Sequence, residues 1–115
     1  MKQWMKKVIL CAHRGLDDSA PENTAAAFDG ALAKGMTIEL DIQRTAGGHL
    51  VVVHDPTVDR TTNGSGEIAA MSLAEVKALD AGSWYGSQFA GQRVLTLDEA
   101  AELVSSRRLV SPSIA

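Results

Sequence analysis

The chain has 115 residues, 45% of them apolar and 22% charged, the proportions of a folded globular domain rather than a disordered or fibrous one. Lys and Arg total 11 against 14 Asp and Glu, a formal charge of -3, so no broad basic face exists to neutralise a nucleic-acid backbone or an anionic membrane. An anionic ligand would have to be held locally, by a metal ion or a few placed arginines, and no apolar run approaches the roughly 20 residues a membrane-spanning helix needs.

The basic start Met1–Lys7 is followed by the apolar run Val8–Ala12. Together they look like a signal peptide, but the run stops at His13-Arg14, short of the roughly 7 to 15 apolar residues such a leader uses. It reads instead as a first strand, apolar throughout and therefore buried on both faces, as in a parallel sheet. The single cysteine, Cys11, lies in this run, cannot form an internal disulfide and reads as a buried thiol. A reducing, cytoplasmic location is expected. Thr24 then precedes an alanine-rich stretch closed by Gly35, which predicts a helix from about residue 23 to 34. A second strand is expected over Met36–Ile42, then a turn at Gly47-Gly48, then the apolar run Leu50–Val53 ending at His54-Asp55. Strand, helix, strand in succession predicts a parallel α/β sheet.

From Pro56 to Gly91 the chain is rich in Thr, Asn, Gly and Ser, a loop-rich excursion of the kind that usually serves function. It holds one predicted short helix at about Ser72–Leu79, where Ser72 and Glu75 form a capping box. A last helix is expected over Thr96–Val104. There is no internal repeat.

Chemistry gathers at the carboxyl ends of the apolar runs: His13-Arg14 after the first, Glu39 and Asp41 in the second, His54-Asp55 after the third. That end is where sites assemble in parallel sheets and barrels. On a continuous strand Glu39 and Asp41 point to the same face, where two carboxylates repel unless a cation lies between them. Oxygen ligands suit Mg²⁺ or Ca²⁺. A metal, an arginine and two imidazoles make a kit for displacement at phosphorus. His49, after Gly47-Gly48, reads as an exposed turn residue with no role.

The words His13-Arg14-Gly15, Pro21-Glu22-Asn23-Thr24, Glu39-Leu40-Asp41, His54-Asp55 and Asp59-Arg60-Thr61-Thr62-Asn63-Gly64 occur in this order. Together they resemble the glycerophosphodiester phosphodiesterase family, from about residue 8 to 104, with Leu79-Asp80-Ala81-Gly82-Ser83-Trp84 similar to part of its small inserted subdomain. The resemblance implies an α/β fold, part of a TIM (β/α)8-type barrel, with residues 56–93 as the insertion and 1–115 as the amino-terminal portion of the domain. It implies metal-dependent hydrolysis of a small glycerophosphodiester to sn-glycerol 3-phosphate and an alcohol. By the same resemblance His13 and His54 form the acid–base pair, Arg14 holds the phosphate, and Glu39 and Asp41 hold Mg²⁺ or Ca²⁺ with one further carboxylate. Glu22 and Asn23 would line the loop beside the metal, and Trp84 and Phe89 would shape the glycerol or leaving-group side. Apart from the resemblance, Asp55 and Arg60 read as residues that buttress the loop rather than react.

Two features depart from that pattern. The family's third metal carboxylate comes from the third barrel strand, and the matching stretch here, Arg108–Ala115, contains no acid. A closed barrel also needs eight strands and typically about 250 residues. The chain is therefore expected to be too short to close the barrel, to be poorly stable and nearly inactive alone, and to self-associate through an open sheet edge. The alternative reading is a truncated, catalytically inactive fragment, or a non-catalytic barrel module that needs a partner chain.

Overall fold

The structure, a computed structural model, describes residues 12–13, 19–36 and 38–110. Cys11 and most of the predicted first strand lie outside the described residues, as do Arg14 and residues 111–115. What is described of that strand is β1 (Ala12–His13), which pairs in parallel with β2 (Ile38–Glu39) in the register Ala12↔Ile38 and His13↔Glu39. Helix α1 (Ala25–Ala33) forms the crossover between them.

Alanine dominates α1, which favours helix intrinsically. Thr24 caps its start: the hydroxyl oxygen accepts from the Ala27 amide at 3.3 Å and donates to the Pro21 carbonyl at 2.7 Å. Gly35, at φ +75, ends it in the left-handed region that only glycine enters freely. Phe28, Ala31 and Leu32 form the buried face and pack with Ile38, Val52 and Ala100 into one apolar cluster.

The predicted strand Met36–Ile42 is not continuous. It divides into β2 and β3 (Ile42–Arg44), with Leu40 and Asp41 in no ladder, because the two halves pair with different partners. β2 bonds β1 in parallel, whereas β3 bonds β4 (Leu50–Val52) antiparallel, in the register Ile42↔Val52, Gln43↔Val51, Arg44↔Leu50. The run Leu50–Val53 is thus the return arm of a hairpin. Only Thr45–His49 separate β3 from β4, far short of the dozen or more residues a parallel crossover requires. Thr45 accepts from the Gly48 amide at 3.0 Å through its carbonyl and from the His49 amide at 3.1 Å through its hydroxyl, which closes the turn and leaves His49 exposed.

Beyond β4 a second apolar cluster joins Val51 and Val53 to Val58, Ile68, Val76, Ala81 and Val94. Helix α2 (Leu73–Lys77) carries the predicted capping box, with both Ser72–Glu75 hydrogen bonds present. Helix α3 (Leu97–Val110) runs past the predicted end at Val104, since no Gly or Pro interrupts it before Pro112. Its start is closed by a reciprocal pair: the Glu99 amide donates to Thr96 Oγ1 at 3.0 Å and the Thr96 amide to Glu99 Oε1 at 2.8 Å. Residues Arg108–Val110, expected to open a third barrel strand, are helical instead. Among the described residues no helix is long and apolar enough to cross a membrane.

Candidate active site

Two separate strand pairings position the polar words of the sequence. His13 stands beside Glu39 in the parallel β1–β2 register, and the hairpin sets Val52 opposite Ile42, so the chain returns past Asp41 just before His54. Gln43 fixes that return, donating from Nε2 to the His54 carbonyl at 3.0 Å. Glu39 and Asp41 are half-buried. Asp41 leaves the ladder where the strand changes partner, so the same-face argument for a continuous strand does not apply to this pair.

The best-defined polar network surrounds His54. Its Nδ1 lies 2.7 Å from Asp55 Oδ1. Arg60 donates to both oxygens of Asp55, from Nε to Oδ2 at 2.9 Å and from one terminal nitrogen to Oδ1 at 3.1 Å. The same guanidinium donates twice to Glu22, at 3.0 and 2.9 Å. Arg60 thus clamps two carboxylates in its planar fork, and Glu22, whose side chain is 7% exposed, is the buried member of the group. The Arg60 guanidinium, and then the His54 imidazole, hold the Asp55 carboxyl down at about 2.

A group whose folded pKa lies below its unfolded value stabilises the fold above the unfolded value, and that contribution fades as pH falls towards the folded value. For Asp55 the window runs from its ordinary value of 3.8 down to about 2. Replacing it by Asn should lower the urea midpoint at about pH 5, and the gap between variant and parent should close as the pH approaches about 2. Urea titrations of both proteins across that range check this.

Asn23 adjoins the clamp. It adopts a left-handed conformation at φ +58, is 4% exposed, and neither amide atom of its side chain has a hydrogen-bond partner among the described residues. A buried amide in that condition costs roughly 1–3 kcal/mol. It faces a small hollow that Glu22, His54 and Thr61 also line. The buried amide, without a partner among the described residues, thus lines the same hollow as His54.

The model of the glycerophosphoryl diester phosphodiesterase family matches residues 13–111. The chain belongs to this family. A glycerophosphodiester phosphodiesterase of Caldanaerobacter subterraneus subsp. tengcongensis is 52% identical over 102 residues, which are 88% of this chain and 42% of that protein. The crystal structure of an Agrobacterium tumefaciens family member superposes with a TM-score of 0.80 at 48% identity, covering 83% of this chain and 42% of that one. An Oleispira antarctica phosphodiesterase, solved in complex with the product sn-glycerol-3-phosphate, also reaches 0.80 at 42% identity, covering 83% of this chain and 39% of its own. The chain spans about two-fifths of the length of these relatives, so its α/β fold is part of the TIM barrel of the glycerophosphodiester phosphodiesterases rather than the whole of it.

Within the family's frame, the sequence words fall into three groups. His54, Asp55, Glu22 and Asn23 meet around Arg60 and the small hollow. His13 stands beside Glu39 in the β1–β2 register, Asp41 lies in the break between β2 and β3, and Arg14 lies outside the described residues. Trp84 and Phe89 flank Tyr85 in two edge-to-face contacts with centroids 5.6 Å apart, and Trp84 stays 40% exposed. Three or more His, Cys, Asp or Glu residues placed to hold a metal do not occur together among the described residues.

The family word Asp80-Ala81-Gly82-Ser83 is a structural knot. Asp80 accepts from the Gly82 and Ser83 amides at 2.8 Å each, from Ser83 Oγ at 2.9 Å and from the Gly91 amide at 3.0 Å. Those donors, led by the Ser83 and Gly82 amides, hold its carboxyl far below the usual range. The sequence points to roles for His13, His54 and the acids but to none for Gln43. No motif marks a glutamine that reaches a carbonyl eleven residues away.

Proposed function

We propose that the chain carries the amino-terminal part of a glycerophosphodiester phosphodiesterase site, which hydrolyses glycerophosphodiesters to sn-glycerol 3-phosphate and an alcohol. The supporting observation is the network that ties His54 and Asp55 through Arg60 to Glu22, in a chain of this family whose β1–β2 register sets His13 beside Glu39. In this reading Arg14 holds the phosphate. One of His13 and His54 takes the proton from a glycerol hydroxyl as it attacks its own phosphorus, and the other protonates the departing alcohol oxygen. Water then opens the cyclic phosphate with the two roles reversed.

Glu39 and Asp41 offer the hard anionic oxygens that Mg²⁺ or Ca²⁺ prefers, and the buried Asn23 amide, without a partner among the described residues, is a further group that fits a cation or its water. When bound, the cation supplies charge stabilisation at the phosphoryl oxygens. Asn23 and Glu22 orient the loop on that side, and Asp55 steadies His54. Residues 56–93 act as the inserted subdomain, with Trp84 and Phe89 towards the glycerol or leaving-group side. The protein works in the cytoplasm, and its open sheet edge supports self-association.

Transplanting residues 12–110 into the Agrobacterium relative in place of its matching segment tests the reading. The chimera should release sn-glycerol 3-phosphate from glycerophosphocholine, stop with EDTA and resume with Mg²⁺ or Ca²⁺. His54→Ala in the chimera should lower kcat roughly 10²–10⁴-fold. A folded chimera that stays inactive beside an active parent would favour the non-catalytic module.

A further inference from the structure

The imidazole of His54 can serve as base or acid only if the correct nitrogen faces the substrate, and an exposed ring is by itself free to choose either tautomer. Its contact, Asp55 Oδ1 at 2.7 Å from Nδ1, is a carboxylate and can only accept. The proton therefore sits on Nδ1 in the neutral ring, and Nε2 is left bare. That assignment is only as firm as Asp55 itself, which is partly exposed and adjacent to His54 in sequence, so a short side chain on an irregular loop has to be held still by something else.

Arg60 is the group that holds it. Its guanidinium engages both Asp55 oxygens, and through its remaining N–H groups both oxygens of Glu22. Glu22 precedes Asn23 and the Thr24 cap of α1, on the buried side of the loop. The fork thus ties the His54-Asp55 loop to the base of the crossover helix, with Arg60 and Glu22 themselves 38 residues apart in sequence. A lysine, with one compact ammonium, cannot make four such bonds in one plane.

We infer that Arg60 is a positioning residue for His54: by bridging Glu22 and Asp55 it fixes the Nδ1–H tautomer and points Nε2 at the reacting atoms. The catalytic meaning of this rests on the reading of His54 as an acid–base group, but the tautomer itself does not. Second-layer carboxylates that fix a histidine's tautomer commonly set its basicity as well as its aim.

The test is a long-range ¹H–¹⁵N spectrum of the ¹⁵N-histidine-labelled 115-residue chain. With three histidines in the sequence, assignment needs only His13→Gln and His49→Gln. Neutral His54 should show the Nδ1–H pattern in the parent. Arg60→Gln should convert most of it to the Nε2–H pattern that an unconstrained imidazole favours, and Arg60→Lys should give a mixture. Far-ultraviolet dichroism and Trp84 fluorescence report whether each variant is folded. If Arg60→Gln fails to fold, Arg60→Lys carries the comparison. An Nε2–H ring in the parent, or an unchanged Nδ1–H ring in a folded Arg60 variant, overturns the inference. In the active chimera Arg60→Gln should lower kcat about tenfold or more with KM nearly unchanged. Loss of the tautomer with kcat intact would leave Arg60 its positioning role and remove His54 from the chemistry.

Discussion

Gly82→Ala is expected to unfold the segment between Pro56 and Gln92 and to lower the urea midpoint of the whole chain sharply. A Cβ at this position would lie 1.9 Å from the Phe89 carbonyl oxygen, 2.8 Å from its carbon and 2.9 Å from Gln92 Cβ. The two nearest atoms are backbone, so no rotamer change relieves the clash. Movement there also disturbs what the segment holds. The Ala81 amide donates to the Gln92 carbonyl at 2.7 Å, the Gly82 amide to Asp80, and Gln92 Oε1 accepts from the Ala26 amide at the start of α1 at 3.2 Å. Overpacking of this kind costs roughly 1–3 kcal/mol and occasionally more, and a displaced backbone carbonyl places it at the upper end. Gly47→Ala is the control. Its nearest neighbour would be the His49 ring at 3.5 Å, an ordinary contact, so its midpoint should move little. Equal midpoints for the two variants would show that the close approach at Gly82 is not a constraint.

Phe28→Ala should be comparably damaging by the opposite route. Phe28 is 0% exposed and lies at the centre of the cluster that joins α1 to Ile38, Val52 and Ala100. Truncating a fully buried phenylalanine removes its transfer free energy and leaves a cavity, together about 3–5 kcal/mol. That is a large share of the roughly 5–15 kcal/mol that holds a typical domain folded. The thermal midpoint should fall by at least roughly 10 °C. Phe89→Ala supplies the contrast, because Phe89 is only partly buried and its ring contact is with Tyr85. A drop for Phe28→Ala no larger than for Phe89→Ala would mean that α1 is not anchored through this ring.

The two effects separate what local sequence can and cannot disclose. Phe28 was placed on a helix by the alanines around it, the Thr24 cap and the Gly35 stop, all features within one turn of the residues they govern. The capping box at Ser72 and Glu75 was equally local. The close approach at Gly82 depends on where Phe89 and Gln92 return, and no pattern near residue 82 announces it. The split of the predicted strand Met36–Ile42 has the same origin. Thr37, Ile38 and Ile42 favour strand on composition, but which neighbour each half bonds is decided by tertiary pairing. The short connection Thr45–His49 was legible as a turn, and its length alone forbids the parallel crossover, so the antiparallel return could have been read from spacing.

Sequence by itself determined the family: His13, Arg14, Glu39, Asp41 and His54 stand in ordered words, and words of particular residue types at fixed spacing leave a readable trace. It also determined the local helices, whose caps and propensities act over a few residues. Tertiary structure decided that one arginine clamps Glu22 to Asp55, that Asn23 is buried with its amide unpaired among the described residues, and that α3 continues where a third strand was expected. Those outcomes depend on which distant segments share a small volume, a contest of packing and desolvation that no short stretch of sequence encodes.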